Sequence, residues 1–381
     1  MNRGPGWHLV TGEYPPQLGG VSDYSAQLAA GLAARGPEVH VWTVPADGET
    51  PGHAGVTVHR VAGRWLPPDL ARLDAALERF EPPRRLLVQY APNAWGRKGL
   101  NFHFTRWLVR RGRLGDDVRV MFHECWYPLE LRDKPARWLL SIVQRGMARA
   151  LVRSSSRVYV SIPAWEERLR RFSTRPIAWF PVPSNVPAIE DGAGVERLRR
   201  RIAPRGERIV GSFGTFGERI APMLRAVLPA VLKERPNTVG LLIGRGGKRF
   251  ADRLIAAGPE LSGRLTAPGG QPPEEVSRLL QACDLLVQPY PDGVTSRRGS
   301  VMAGLAHGRA IVTTSGPLSE PIWAERGGAI LVPAAAPSAM VQAASALLDD
   351  PLARDRLGRA ALRMYEQSFT LRRTIEALES S

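Results

Sequence analysis

Short apolar runs rich in β-forming residues alternate with helical patterns along the whole 381-residue chain. Such alternation predicts βαβ units and parallel sheets. After the first apolar run, a helical repeat runs from Val21 to Leu32 and ends at Gly36. In the first half the apolar runs predict strands at 8–11, 38–44, 85–90, 118–123, 157–161 and 177–182.

A second alternation of the same kind begins after residues 184–207, a polar stretch with proline and arginine that predicts a linker. Its apolar runs predict strands at 208–214, 238–244, 264–269, 284–290, 310–315 and 329–333. We therefore expect an α/β protein with two doubly wound domains, 1–183 and 208–360, facing a cleft where ligands meet the strand ends. A terminal helix in 361–381 is expected to pack back on the first domain.

The composition describes an ordinary globular protein, with 44% hydrophobic and 23% charged residues. The first residues do not resemble a secretory signal, and the chain has no apolar run of 18 residues, which predicts a cytoplasmic location. Two cysteines and the absence of HExxH and CxxC motifs predict neither a metal site nor a cofactor.

The net charge of +16 predicts a partner that is an anion. The arginines are scattered and do not alternate with aromatic residues, so we expect no nucleic acid. Nucleotide sugars and acidic lipid headgroups are better candidates. The segment 163–172, with Trp165, Leu169 and Phe172 on one face, is a candidate for peripheral contact with the inner face of a membrane; the alternative is that it covers its own sheet.

The stretch PDGVTSRRGSVMAGLAHG, 291–308, is the strongest candidate for a binding site. A strand leads into a polar loop with Arg297 and Arg298, and a short apolar helix follows. The start of such a helix favours an anion, and arginine suits phosphate geometry. Ser296 and Ser300 can cap the helix or donate to phosphate. The alternative is a solvated loop whose arginines pair with nearby acids.

Further candidates follow other strands of the two predicted sheets. His123 and Glu124 end a predicted strand, where a histidine can bond a sugar hydroxyl or steady developing charge; the alternative is a packed structural side chain. Three glycine turns sit where a backbone can approach a ligand, or else are flexible connections. They contain Gly19 and Gly20, then Gly214 and Thr215, and finally Arg245.

The run EYPPQLGGVSDYSAQLAAGLAARGPEVHVWT resembles the opening of retaining GT-B glycosyltransferases of family four. Later segments are similar in order: the strand-end His123, then PVPSNVP, then IGRGG where the family has a Gly-Asp-Gly turn. MAGLAHGRAIVTTS stands where the family has its Ala-Met-Ala-x-Gly stretch. The resemblance covers roughly residues 8–365, and its opening motif and the AHGRAIVTT segment are the specific parts.

This resemblance implies two Rossmann-like domains, a nucleotide-diphospho-sugar on the C-terminal one and an acceptor on the N-terminal one. Transfer would retain the anomeric configuration, and the departing phosphate would take the acceptor's proton. The expected catalytic residues are His123, Arg297 and Arg298. The expected donor-binding residues are Gly19, Gly20, Gly214, Thr215, Arg245, Ser296, Gly299 and Ser300, and the expected acceptor-binding residues are Glu13, Tyr24 and Glu124.

The chain departs from the family at its E-x7-E signature. The two glutamate positions fall on Thr295 and Ala303, or on Asp292 and Ser300 in another alignment. The arginine and lysine that usually follow the first strand of the C-terminal domain are also missing, so we expect the two arginines of the 291–308 stretch to replace them. The alternative function is a non-catalytic pseudo-glycosyltransferase that binds nucleotides, and a nucleic-acid binder is a third.

Overall fold

A computed structural model describes residues 6–50, 52–127, 129 and 134–380. The chain forms two compact units. The N-terminal unit comprises Met1–Pro181 together with Leu371–Ser381, and the C-terminal unit comprises Val182–Thr370.

The N-terminal unit is built on a parallel sheet that has seven strands among the described residues, in the order β3-β2-β1-β4-β5-β6-β7. The strands are β1 (Trp7–Thr11), β2 (Val39–Trp42), β3 (Val56–His59), β4 (Arg85–Tyr90), β5 (Asp117–Phe122), β6 (Arg157–Val160) and β7 (Ile177–Trp179). The helices are α1 (Gly20–Ala33), α2 (Pro67–Leu77), α3 (Phe102–Arg113), α4 (Pro135–Ser154), α5 (Pro163–Arg170) and α14 (Leu371–Glu379), with short 3-10 turns at Pro92–Ala94 and Arg97–Gly99.

Central strands of this sheet are apolar because helices cover both of their faces. All five residues of β1 are buried, and β1 pairs in parallel with β2 on one side and β4 on the other. The six predicted strands of this half are confirmed within a few residues. The strand β3 was missed, since it is short and only partly buried.

The C-terminal unit repeats the architecture with six described parallel strands in the order β10-β9-β8-β11-β12-β13. They are β8 (Arg208–Phe213), β9 (Thr238–Ile243), β10 (Leu265–Gly269), β11 (Leu285–Gln288), β12 (Ile311–Ser315) and β13 (Ile330–Pro333). Its helices are α6 (Gly192–Ile202), α7 (Ala221–Glu234), α8 (Gly247–Ala257), α9 (Pro273–Ala282), α10 (Gly299–Ala306), α11 (Ile322–Arg326), α12 (Pro337–Asp349) and α13 (Pro351–Ser368), with a 3-10 turn at Pro259–Leu261.

The segment expected to be a linker contains helix α6, whose Leu198 and Ile202 are buried within the C-terminal unit. Asp191 starts this helix by accepting a hydrogen bond from the amide of Gly194. The same carboxylate also accepts from Arg278 of α9 at 2.7 Å. The segment 192–202 is therefore part of the C-terminal unit.

The end of the chain divides between the units. Helix α13 belongs to the C-terminal unit, whereas α14 packs against α1 of the N-terminal unit. The contact is close, because a Cβ atom on Gly31 would overlap the Ile375 side chain. Arg119 also donates to the carbonyl oxygen of Leu378 at 3.0 Å. The last helix thus adds a covering layer to the N-terminal sheet.

Helix α5 does not offer the membrane-facing surface that its sequence suggested. Trp165 and Leu169, its apolar residues, are buried in the N-terminal unit. The indole Nε1 of Trp165 donates to the carbonyl oxygen of His123 at 2.9 Å. The prediction that the apolar face of 163–172 contacts a membrane is therefore wrong. The helix covers its own sheet instead.

Candidate active site

Three loops of the C-terminal unit leave the carboxyl ends of neighbouring strands. They follow β9, β8 and β11, which lie side by side in the sheet. Parallel strands present their carboxyl ends at one edge, and ligands of doubly wound sheets bind there. The glycine turn at Gly214 and Thr215, the turn at Arg245 and the two paired arginines are thus brought to one edge of one sheet.

The loop after β11 is held in place by close backbone packing. Gly293 has a positive φ of +86°, and a Cβ atom there would overlap Gly316 and the Ser319 hydroxyl. Val294 then donates its amide to the carbonyl oxygen of Thr314 at 2.7 Å. These contacts fix the direction in which the chain enters the arginine pair.

Ser296 anchors this loop from inside the unit. It is fully buried, and both its amide and its hydroxyl donate to Glu320 Oε1, at 2.8 and 2.6 Å. The other oxygen of Glu320 accepts from Trp323 Nε1 at 2.7 Å. Burial raises the pKa of Glu320, and these donors oppose the rise. The expectation that Ser296 binds the donor is corrected here, because its hydroxyl is committed to Glu320.

Arg298 is the side chain that the loop holds at the site. Its guanidinium lies over the ring of Tyr290, with Cζ 4.9 Å from the ring centroid, and the side chain is 24% exposed. Its Nη2 lies 3.9 Å from Asp292 Oδ2. Burial and then the charge of Arg297 lower the pKa of Arg298. Its Nε is buried without a hydrogen-bond partner among the described residues.

The start of helix α10 adds further donors beside this guanidinium. Arg298 is the N-cap, and its side chain does not cap the helix. The first amides of a helix have no partner within it and carry a partial positive charge. Ser300, in the first turn, shares a hydrogen bond of 2.8 Å with the Tyr290 hydroxyl. Together these groups favour an anion at this edge.

The loops after β8 and β9 lie against each other and need glycine to do so. A Cβ atom on Gly244 would overlap the carbonyl oxygen of Gly214, and one on Gly246 would overlap the carbonyl of Thr215. Thr215 and Arg245 are exposed in these turns.

Arg219, further along the first of these loops, donates to both oxygens of Asp292 at 2.8 Å. Asp292 is therefore shared between two guanidinium groups, those of Arg219 and Arg298. One carboxylate thus faces two cations at this edge, which leaves an excess of positive charge.

The N-terminal unit has its own set of candidates at the carboxyl end of β1. Gly19 has an extended backbone, and a Cβ atom there would overlap the carboxylate of Glu13. Gly20 has open space where a Cβ atom would lie. Burial, followed by the charges of Asp23 and Glu124, raises the pKa of Glu13. The predicted acceptor residues Glu13 and Glu124 therefore share one acidic surface.

His123 ends β5 in a neutral, oriented state. Burial lowers its pKa to about 3, so the ring is uncharged at neutral pH. Its Nε2 lies 2.8 Å from Gln89 Oε1, and its ring packs edge-on against Tyr24 at 4.9 Å. Tyr24 is itself buried, and burial raises the pKa of its hydroxyl. The carbonyl oxygen of His123 accepts from Ser161 and Trp165.

Four residues of these sites were missed by sequence reasoning: Gln89, Tyr290, Asp292 as an ion-pair partner, and Glu320. Gln89 carried a usable signal, since it is a polar residue near the end of an apolar strand. The positions aligned with the family's two glutamates, Thr295 and Ala303, are fully buried.

The fold and this edge define a class: an α/β protein of two doubly wound units, with an arginine-bearing loop at the strand ends of the second. Two family models match the sequence, the Glycosyl transferase 4-like domain over residues 19–185 and Glycosyl transferases group 1 over residues 207–350. Together they cover about four-fifths of the chain. The protein therefore belongs to this family of glycosyltransferases.

Solved structures similar to this chain are GT-B glycosyltransferases. A sucrose-phosphate synthase from Thermosynechococcus elongatus matches with a TM-score of 0.75 and 18% identity, covering 99% of this chain and 98% of that one. WaaG, a glycosyltransferase of lipopolysaccharide biosynthesis, matches with a TM-score of 0.67 and 16% identity, covering 95% of each chain. HepE from Anabaena, in complex with UDP-glucose, matches with a TM-score of 0.68 and 15% identity, covering 98% of this chain and all of that one.

These likenesses show the GT-B fold with its two Rossmann-like domains. No curated protein matches the sequence.

Proposed function

We propose that the protein transfers a sugar from a nucleotide-diphospho-sugar to an acceptor hydroxyl with retention of the anomeric configuration. Membership of the glycosyltransferase family supports sugar transfer. The crystal structures of HepE with UDP and with UDP-glucose support a nucleotide sugar as the donor. The acceptor is a glycan, a lipid-linked saccharide or a small molecule.

The C-terminal unit is proposed to bind the donor through the edge that holds Arg298. A bidentate guanidinium and the leading amides of α10 suit a diphosphate. Arg297 adds a second cation, and its positive charge lowers the pKa of Arg298. A bound diphosphate would relieve this repulsion. The turns at Gly214 and Thr215 and at Arg245 are assigned to the nucleoside, and Gly299 and Ser300 to phosphate.

The chemical step needs no carboxylate pair. The bond between the anomeric carbon and the diphosphate oxygen breaks, and the bond to the acceptor oxygen forms on the same face. The departing phosphate oxygen receives the acceptor's proton, so nucleoside diphosphate and a glycoside are the products. Negative charge builds on the diphosphate as it leaves, and each donor aimed at it contributes about 3 kcal/mol of transition-state stabilisation.

The N-terminal unit is proposed to bind the acceptor at its acidic surface, with Glu13 and Glu124 accepting from hydroxyl groups and Tyr24 supporting His123. A ring that stays neutral down to a pKa of about 3 is a hydrogen-bonding group for a sugar hydroxyl rather than a cation. Gly20 has open space beside this surface, and we keep the prediction that Gly19 and Gly20 contact the donor.

The observation that carries the proposal is Arg298, a largely buried cation that shares the carboxylate of Asp292 with Arg219. The test measures release of nucleoside diphosphate from a panel of UDP, GDP and ADP sugars, with and without candidate acceptors. Turnover that depends on Arg298, with an NMR-detected product of unchanged anomeric configuration, is expected. Tight nucleotide binding without turnover of any donor would support the non-catalytic alternative, and an inverted product would refute retention.

A further inference from the structure

Helices α3 and α4 of the N-terminal unit carry a strongly basic and partly apolar surface. Their 32 residues contain eight arginines and no acidic residue. The two helices pack against each other. Asp74 and Asp116 neutralise Arg110 and Arg111. Within the described part of the chain no ion pair is formed by four others, which are Arg106, Arg113, Arg149 and Arg153.

The outward face of α4 is divided along its axis. Its first turns expose Trp138, Leu139 and Ile142, at 42%, 64% and 58%. Residues 138, 142, 149 and 153 lie on one side of the helix, since their spacing follows whole turns. The opposite side, which includes Met147 and Leu151, is buried. An apolar tip is therefore followed, on the same face, by the exposed arginines 149 and 153.

The arginines of α3 extend this face sideways. A surface depression of about 440 Å³ is lined by Val109 and Arg113 of α3 and by Ala150 and Arg153 of α4. A neighbouring depression of about 740 Å³ includes Arg106. The apolar tip of α4 thus adjoins a broad surface of unpaired guanidinium groups.

We propose that this surface, formed by Trp138, Leu139, Ile142 and the arginines 106, 113, 149 and 153, docks the enzyme on an anionic lipid membrane. Such a helix lies in the interface plane, with tryptophan and aliphatic side chains among the acyl chains and arginines at the headgroups. Within the described residues no helix is both long and apolar enough to cross a bilayer. The occupant is chosen from the combination, on one helix face, of exposed tryptophan and aliphatic side chains with arginines that form no ion pair with any described residue.

The docking goes beyond the proposed sugar transfer and is tested separately from it. Purified protein is sedimented with phosphatidylcholine vesicles with and without phosphatidylglycerol, at low and high salt. A triple variant, Trp138→Ser/Leu139→Ser/Ile142→Ser, removes the apolar tip, and Arg149→Gln/Arg153→Gln removes charge. The matched control is Arg197→Gln/Arg201→Gln, two exposed arginines at the same spacing on α6.

Binding to anionic vesicles alone is expected, weakened roughly 30-fold by the double arginine variant because each arginine at the surface contributes about 1 kcal/mol, or roughly fivefold. The α6 control should bind like the unaltered protein. Equal loss in the control would mean that net charge alone attracts the protein, and would overturn the proposal. So would unchanged binding of the triple serine variant, or no binding of the unaltered protein.

Insertion is measured with an NBD fluorophore on Leu139→Cys, which labels selectively because Cys125 and Cys283 are buried. Its emission should rise and shift to shorter wavelength with anionic vesicles, while the same label on Leu352→Cys, an exposed leucine of α13, should not respond. Light scattering detects self-association. A dimer that the triple serine variant disperses, with no NBD response to vesicles, would make a second copy the occupant and refute the membrane.

Discussion

Replacing Arg298 with alanine should abolish most of the activity without destabilising the fold. The guanidinium is desolvated, lies over Tyr290 and adjoins the first amides of α10, so it is already placed for an anion. Loss of one donor aimed at a leaving diphosphate removes about 3 kcal/mol of transition-state stabilisation, or ~100-fold in kcat/KM. Lysine should not rescue, because it lacks the planar fork that binds two phosphate oxygens.

The same substitution should change the free energy of unfolding by about 1 kcal/mol or less. The contact with the Tyr290 ring is worth about that much. Its loss is offset because alanine ends the burial of a cation that Arg297 repels. When an active-site residue is held in place at a cost to stability, its removal lowers activity without lowering the free energy of unfolding.

The assay is nucleoside diphosphate release at several donor concentrations, together with urea unfolding of each variant. Arg225→Ala, an exposed arginine of α7, is the matched control and should keep both properties. A loss of activity below tenfold would refute the role of Arg298 at the diphosphate. A large drop in the free energy of unfolding would show instead that the arginine is structural.

Three further predictions concern the supporting structure. Gly244→Ala should lower the free energy of unfolding by at least about 2 kcal/mol in urea, since the site combines a positive φ with an overlap on the neighbouring turn. Gly206→Ala is the control, because Gly206 has a positive φ but open space, and it should lower the free energy of unfolding by less. An equal loss of stability in the two variants would contradict the overlap. His8 and His123 have pKa values of about 3, against 6.5 for a free ring, so between pH 6 and 4 they bind protons only when the chain unfolds. The free energy of unfolding should therefore fall by up to about 1.4 kcal/mol per pH unit for each ring as the pH is lowered from 6 to 4. If the free energy of unfolding from urea titrations does not change over this range, the neutral burial of the two rings is refuted. Gln89→Leu should lower kcat ~10-fold with little change in donor Kd, because it frees the His123 ring without touching the donor loop; an equal loss in donor affinity would contradict a positioning role.

The pattern of apolar and polar residues along the chain was sufficient to predict most of the architecture. Twelve predicted strands match the observed ones within a few residues, because buried parallel strands are continuous apolar runs that stand out from amphipathic helices. The exceptions lack that contrast. Strand β3 is only partly buried, and α6 is an arginine-rich helix inside a stretch whose prolines and glycines suggested a linker.

The sequence by itself also predicts that the arginine loop and the glycine turns lie at the carboxyl ends of strands. In a parallel sheet the order of strands and helices decides at which edge each loop lies. Only the tertiary structure decided what each side chain faces there. Ser296 turns inward to Glu320, 24 residues away, whereas Arg298 stays at the edge on Tyr290. Helix α5 buries its apolar face and α4 exposes one. Local pattern reports which residues can form an element, but the direction of a side chain depends on partners that are distant in sequence and meet only when the chain packs.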